Sequence, residues 1–256
     1  MNDPVKLALV TGGVRRLGAH IAGRLAKAGY ALALHGHSDA VPEDGLAGIL
    51  KDCDTKWSGF VSDFGEEGAA DSLMDQIVQH FGRAPDLLVN NASIFDYDDA
   101  GTISVVTLER HFQVNMMLPT LLTTALSNLF SDGKRASVVN IIDQRVRNPN
   151  GDQLSYTLSK QALAASVRTL AAACADRLRV NGVAPGLTIE TEDYTAGQMQ
   201  RLTELMPLER LSSPDDIADA VCYLAGAQSV TGQTIFVDGG AHLKSFERDF
   251  MFMEQR

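Results

Sequence analysis

Short apolar runs alternate along this chain with longer stretches whose apolar residues recur at helical spacing. No other feature limits the fold so strongly, because strands buried on both faces, joined by amphipathic helices, pack as βαβ units around a parallel sheet. The strand-like runs are Leu7 to Val10, Ala31 to Leu34, Gly59 to Val61, Leu87 to Val89, Ser137 to Ile142, Val180 to Val183 and Thr234 to Val237. Helical patterns between them include Leu17 to Ala28, Ala69 to Phe81, Leu108 to Phe130, Tyr156 to Ala175 and Pro214 to Leu224. The last opens with Ser213 as N-cap, Pro214 in the first helical position, and Asp215 and Asp216 in the electropositive first turn.

These units predict an α/β fold: a doubly wound (Rossmann-type), mostly parallel seven-stranded sheet with helices on both faces. The whole chain, 1–256, is expected to form one domain. Ligands in such sheets lie beyond the carboxyl ends of the strands, at the point where strand order reverses. Residues 187–211 break the rhythm and are expected to form a lid over a substrate. Residues 243–256 are expected to form a C-terminal tail.

Composition narrows the class. Hydrophobic residues make up 45% and charged residues 21%, the balance of a globular chain. No apolar run approaches the roughly 18–20 residues of a membrane span, and the first residues lack the features of a signal peptide. A net charge of −10 argues against a nucleic-acid partner. Cys53, Cys174 and Cys222 are widely spaced and without metal-ligand spacing, so they read as core fillers in a reducing compartment. A cytoplasmic location, a small-molecule substrate and no metal are therefore expected.

The first strand runs into Thr11-Gly12-Gly13-Val14-Arg15-Arg16-Leu17-Gly18, and a helix follows. Glycines at both ends of such a turn allow tight geometry and close approach of a dinucleotide pyrophosphate to the helix N-terminus. The second strand ends in His35-Gly36-His37-Ser38, without the acidic residue that would hydrogen-bond an adenosine ribose and repel a 2′-phosphate. Asp39 follows closely. Arg15, Arg16, His37 and Ser38 offer cationic and hydroxyl donors instead, which favours NADPH over NADH.

Tyr156 and Lys160 are four residues apart, one turn along a single helix face. An ammonium beside the phenol is expected to lower the tyrosine pKa and suit it to proton transfer near neutral pH. Asp143 lies just beyond the fifth strand, where such sheets place their chemistry, although an Asp there is also a common turn residue. Asn90-Asn91-Ala92-Ser93 follows the fourth strand and can supply amide donors beside a cofactor. Asn115 lies within a helical pattern, where a buried amide requires a hydrogen-bond partner.

In this order the motifs resemble the short-chain dehydrogenase/reductase family, from about Lys6 to His242. They are TGGVRRLG, Asp63 after the third strand, NNAS, Asn115, YTLSK, Val183-Ala184-Pro185-Gly186 and Val237-Asp238-Gly239-Gly240. The resemblance implies an NAD(P)-dependent reductase with Tyr156 as proton donor and Lys160 on the nicotinamide ribose. It also implies Asn115 in a proton relay and Asp63 near the adenine. Gly12, Leu17, Gly18, Asn91, Ala92, Ser93, Pro185, Gly186 and Thr188 would complete the cofactor site.

Two departures from the general pattern are similar to the pteridine reductase branch, which includes dihydromonapterin reductases. Arg16 replaces the middle glycine of the turn, and Asp143 replaces the usual serine thirteen positions before the tyrosine. Phe95 stands where that branch places a phenylalanine against the pterin. His37-Ser38-Asp39 differs from the His-Arg-Ser often found there.

The resemblance thus implies an NADPH-dependent pterin reductase, with Arg16, Ser93, Phe95, Asp143 and Tyr156 on the substrate. A carbonyl or 3-oxoacyl reductase of the same family is the alternative, and a cofactor-binding regulatory protein without turnover is a more distant one. Related enzymes are mostly tetramers, so a homotetramer is expected, with the helices from Leu108 and Tyr156 at the larger interface. Three Phe and two Met within residues 246–253 make a frayed tail costly, so the tail is expected to pack against its own or a neighbouring subunit.

Overall fold

A computed structural model of the chain describes residues 5–130, 135–189 and 194–253. The strands are β1 (Leu7–Val10), β2 (Ala31–Gly36), β3 (Trp57–Val61), β4 (Leu87–Asn90), β5 (Ala136–Ile141), β6 (Leu178–Pro185) and β7 (Thr234–Val237). They form a seven-stranded sheet in the order β3-β2-β1-β4-β5-β6-β7, and every pairing is parallel. The α-helices are α1 (Arg16–Lys27), α2 (Asp44–Asp52), α3 (Ala69–Phe81), α4 (Val105–Phe112), α5 (Leu118–Asn128), α6 (Leu154–Ala173), α7 (Ala196–Leu205) and α8 (Pro214–Gly226). No described helix is long and apolar enough to cross a membrane.

The two-residue period of the strands divides the core into two layers. Leu7 and Leu9 of β1 face one way, with Leu73 and Ile77 of α3 and Leu122 and Leu126 of α5. Ala8 and Val10 face the other, with Ile21 and Leu25 of α1, Leu46 of α2, and Val221 and Leu224 of α8. Each fully buried aliphatic side chain contributes about 1.5–3 kcal/mol. The predicted α8 cap forms as a reciprocal box between Ser213 and Asp216.

Two readings change, those for Leu108 to Phe130 and for Cys53. The pattern from Leu108 to Phe130 is not one helix, because a π-helical segment, Gln113–Met117, separates α4 from α5. Pro119 has no N–H to return to the carbonyl four residues earlier, that of Asn115, and the ladder widens there. The segment 187–211 contains α7, although residues 190–193 of the expected lid lie outside the described residues. Cys53 is exposed at the end of α2 rather than filling the core.

The tail packs on its own chain. Phe250 is buried against Leu202 and Met206, with Phe246 and Met253 alongside. Gln198 of α7 donates from Nε2 to the carbonyls of Phe250, Met251 and Met253.

Candidate active site

Order reverses between β1 and β4, and the cleft opens above their carboxyl ends, enclosing about 830 Å³. The β1 turn forms its floor. Gly12 takes φ +58°, a conformation that favours glycine, and a Cβ on Gly18 would lie 1.9 Å from the Gly12 carbonyl oxygen. Arg16, in the middle glycine position of the motif, also adopts a left-handed φ of +52°, which costs a side-chain-bearing residue about 1–2 kcal/mol. The strain is held by neighbours: the Arg16 N–H donates to Glu43 Oε2 at 3.2 Å.

His35 fixes the turn from beneath. Gly12 N–H donates to its Nδ1 at 3.1 Å, so the imidazole hydrogen sits on Nε2, which donates to the Ser62 carbonyl at 2.9 Å. The ring stacks on Phe64 at 4.0 Å. Burial pushes the His35 pKa down to about 4, which keeps Nδ1 free to accept.

The loop after β4 is clipped to the same turn. Thr11 Oγ1 accepts from the N–H groups of Asn91 and Ala92 at 2.9 and 3.0 Å, and Asn91 Nδ2 donates to the Thr11 and Gly12 carbonyls. Asn90 faces away and bonds Asn140 of β5. Asn115 is fully buried in the π segment. Its Oδ1 accepts from Ser93 Oγ and the Ile94 N–H, and its Nδ2 donates to the Ile94 carbonyl and Ser159 Oγ. Its side chain therefore anchors the β4 loop to α6.

At the end of β5 the chain enters a 3-10 turn, Gln144–Val146, capped by Asp143. Asp143 Oδ1 accepts from the Arg145 N–H at 2.8 Å, while Oδ2 accepts from the Tyr156 hydroxyl at 2.9 Å. Lys160 Nζ donates to the Ile141 carbonyl at 2.9 Å and lies 5.7 Å from the Tyr156 ring centre. Phe95 meets Tyr156 edge-to-face at 4.7 Å.

The expected lowering of the tyrosine pKa does not hold. Burial and the facing Asp143 carboxylate push the Tyr156 phenol well above its ordinary range, and they outweigh the opposing Arg145 cation. Burial in turn lowers Lys160 to about 8. Tyr156 is therefore a protonated phenol.

Most expected site residues line one cleft: Gly12, Arg15, Arg16, Leu17, Gly18, His37, Ser38, Asn91, Ala92, Ser93, Phe95, Asp143, Tyr156, Lys160, Pro185, Gly186 and Thr188. Asn115 supports the wall from behind. Asp63 does not line the cleft; its Oδ1 accepts from the Gly65 N–H and lies 3.5 Å from His37 Nδ1. Arg15 is paired with Asp39 at 2.6 Å.

Arg145 and Asp249 escape the sequence reading. Arg145 is buried over the Phe95 and Tyr156 rings, 5.4 and 5.2 Å from their centres. It lies 3.4 Å from Asp143 through Nε and pairs closely with Asp249 of the tail through Nη2. Its place two residues after Asp143 was the one available signal. Nothing in the sequence marks the tail carboxylate as its partner.

Comparison with known proteins agrees with this geometry. Residues 13–242 match the family model described as enoyl-(acyl carrier protein) reductase. The structure resembles that of FolM alternative dihydrofolate reductase 1 from Brucella canis complexed with NADP. The TM-score is 0.86 with 36% identity, covering 95% of this chain and 96% of the other. Pteridine reductase 1 of Leishmania tarentolae is 30% identical, over 93% of this chain and 96% of the relative. A protein named for ketoacyl reduction in the granaticin polyketide synthase of Streptomyces violaceoruber is 35% identical, over 93% and 96%. With the ordered motifs gathered around one cleft, these matches make the chain an oxidoreductase of the short-chain dehydrogenase/reductase family.

Proposed function

We propose that the protein is an NADPH-dependent reductase of a pterin, converting a dihydropterin to its tetrahydro form. The observation that carries this reading is the Tyr156–Asp143 hydrogen bond, 2.9 Å long, at the end of β5 with Phe95 beside it. A ketone needs a neutral donor to its developing oxyanion, and an ionised carboxylate there opposes that charge. A pterin presents N–H donors to a carboxylate and a ring nitrogen to protonate.

The cofactor fits the residues present. The turn is drawn tight where Gly18 packs on the Gly12 carbonyl, which a Cβ on Gly18 would meet at 1.9 Å, and α1 directs its N-terminus to the same place. Gly12, Arg15, Arg16, Leu17, Gly18, His37 and Ser38 would hold the adenosine and phosphate end. Asn91, Ala92, Ser93, Lys160, Pro185, Gly186 and Thr188 would hold the nicotinamide end. The chemistry that NADPH supplies when bound is a hydride to the carbon of the C=N bond. The proton for the nitrogen is held between Tyr156 Oη and Asp143 Oδ2, and the raised tyrosine pKa keeps it in place until a substrate accepts it. Lys160 supplies the cation that balances Tyr156 as the proton leaves. The FolM structure with NADP and the pteridine reductase relative support this reading.

The relative named for ketoacyl reduction favours a second reading, a carbonyl or 3-oxoacyl reductase of the same fold. Turnover with NADPH of dihydrobiopterin, dihydromonapterin and dihydrofolate, set against simple ketones, separates the two. Activity on a dihydropterin is expected, and Asp143→Ser should abolish it while sparing or creating ketone reduction. Ketone turnover with no pterin turnover would replace the first reading by the second.

We also assign assembly as a homotetramer. Val105, Val106, Met117, Leu121 and Leu129 are large apolar side chains left exposed between the start of α4 and the end of α5, of the kind a second copy covers. A monomeric mass at micromolar concentration would reject this.

A further inference from the structure

The tail does more than cover the end of the sheet. Asp249 is buried, accepts the Met251 N–H at 2.9 Å through Oδ1, and grips Arg145 Nη2 through Oδ2. Its own N–H donates to Asp152 Oδ2 at 2.7 Å, and Arg248 Nε donates to the same carboxylate. Burial opposes charge on Asp152, yet these donors hold it below the usual carboxylate range. The tail is thus docked at two consecutive residues, Arg248 and Asp249.

On the other side of Arg145, Nη1 donates to Gln153 Oε1 at 3.2 Å. Gln153 is buried and left-handed, φ +45°, an uncomfortable backbone for a residue with a side chain. Such strain persists where the surroundings fix it, and here the Gln153 side chain reaches Arg145. Arg145 Nε has no hydrogen-bond partner among the described residues and lies 3.4 Å from Asp143 Oδ1. The guanidinium is therefore aimed by Asp249 and Gln153 at the proton-holding pair, over two aromatic rings.

We propose that Asp249 is a positioning residue for the reaction: it holds Arg145 against Asp143 and Tyr156, so the tail is a working part of the active site. The inference deepens the reading of Asp143 and Tyr156 as the proton-donating pair and rests on it. The charged groups around that pair are Arg145 from the loop, Lys160 from α6 and Asp249 from the tail, with Asp152 and Arg248 behind. Arg145 acts on Tyr156 more strongly than Asp249 does and with opposite sign. A released Arg145 therefore raises the tyrosine pKa, whereas loss of the Asp249 charge with Arg145 still in place lowers it.

Asp249→Asn tests this, because the amide oxygen can still accept from Met251 while the anionic grip is gone. Expected are a fall in kcat of about 10- to 100-fold, an unchanged KM for NADPH, and a basic limb of the kcat profile moved to higher pH. Asp249→Glu should recover part of the loss. Phe246→Ala, which loosens tail packing without touching the ion pair, should lower Tm and leave the limb where it was.

A limb that stays or moves to lower pH in Asp249→Asn overturns the proposal, as does a crystal structure of that variant with Arg145 still on Asp143. Should Asp249→Asn not fold, Arg145→Lys asks the same question, since one ammonium cannot span Asp143, Gln153 and Asp249. Its kcat and limb should change in the same way, and unchanged values overturn the proposal. The kinetics are run on whichever dihydropterin or ketone the wild type reduces. A wild type that reduces only ketones removes the pterin reading and leaves the test of Asp249 intact, and the variant's crystal structure decides without turnover.

Discussion

The two halves of the cleft are built on different principles. The half under β1, β2 and β4 is made of short segments at neighbouring strand ends, tied together by neutral side chains, Thr11, His35 and Asn91, that bond backbone groups. Its ion pair of Arg15 with Asp39 leaves those side chains 53% and 44% exposed. The half beyond β5 is assembled from residues 95, 143–145, 153–156 and 249, and its central pair, Arg145 with Asp249, is only 6% exposed on each side. An exposed pair adds about 0–1 kcal/mol, whereas removing one member of a buried pair strands the other's charge. The first half can lose its exposed pair and keep its shape. The second cannot.

The sharpest test of this contrast is on the chemistry itself. Tyr156→Phe removes the proton held against Asp143 and should lower kcat by about 10²–10⁴-fold, with cofactor binding followed by nicotinamide fluorescence unchanged. A kcat within a few-fold of wild type would take Tyr156 out of the reaction. Next in size, Arg145→Ala should destabilise the fold by about 3–5 kcal/mol, because it leaves the buried Asp249 and the half-buried Asp143 without their cation. Urea unfolding measures this, and a loss below about 1 kcal/mol would show that the pair behaves like a surface one.

His35 makes the cofactor half sensitive to acid. Its folded pKa of about 4 lies below the unfolded value, so the unfolded chain binds more protons as pH falls from about 6.5 to 4. Stability is full above that window and should drop by about 3 kcal/mol across it. His35→Gln should flatten that part of the profile. An equal slope in wild type and variant would mean that other groups carry the acid response.

The smallest effect is expected at the surface pair. Arg15→Ala should leave Tm nearly unchanged but raise the KM for NADPH by about tenfold relative to NADH, through loss of a charge-assisted contact to the 2′-phosphate. Asp39→Asn, which frees Arg15, should shift the preference the other way. Equal kcat/KM for the two cofactors in the wild type would reject the 2′-phosphate assignment.

The same contrast explains what could be read from the sequence. The β1 turn is legible because its constraints are local: Gly12, Arg16 and Gly18 fall within seven residues, and their spacing encodes the turn. Tyr156 and Lys160 are legible for the same reason, one helical turn apart. The break at Asn115 was half visible, since Pro119 stands four residues later, but the apolar pattern of Leu108 to Phe130 runs through it unbroken. The tyrosine pKa was misjudged because spacing reveals the neighbouring ammonium but not the burial, nor that Lys160 turns to the Ile141 carbonyl while Asp143 takes the hydroxyl. Asp249 was invisible. Only the composition of its neighbours, Phe246, Phe250, Met251, Phe252 and Met253, hinted that the tail folds back at all.

The contact between Arg145 and Asp249 spans 104 residues. During synthesis, at about 5–20 residues per second, Arg145 leaves the ribosome roughly 5–20 seconds before its partner. For that interval β1, β2, β4 and β5, with the cofactor turn, can already assemble, while the guanidinium beside Tyr156 lacks the carboxylate that aims it. On the present reading the nascent chain passes through a stage that can hold a dinucleotide before it can position a proton, and catalytic competence waits for Asp249 to emerge.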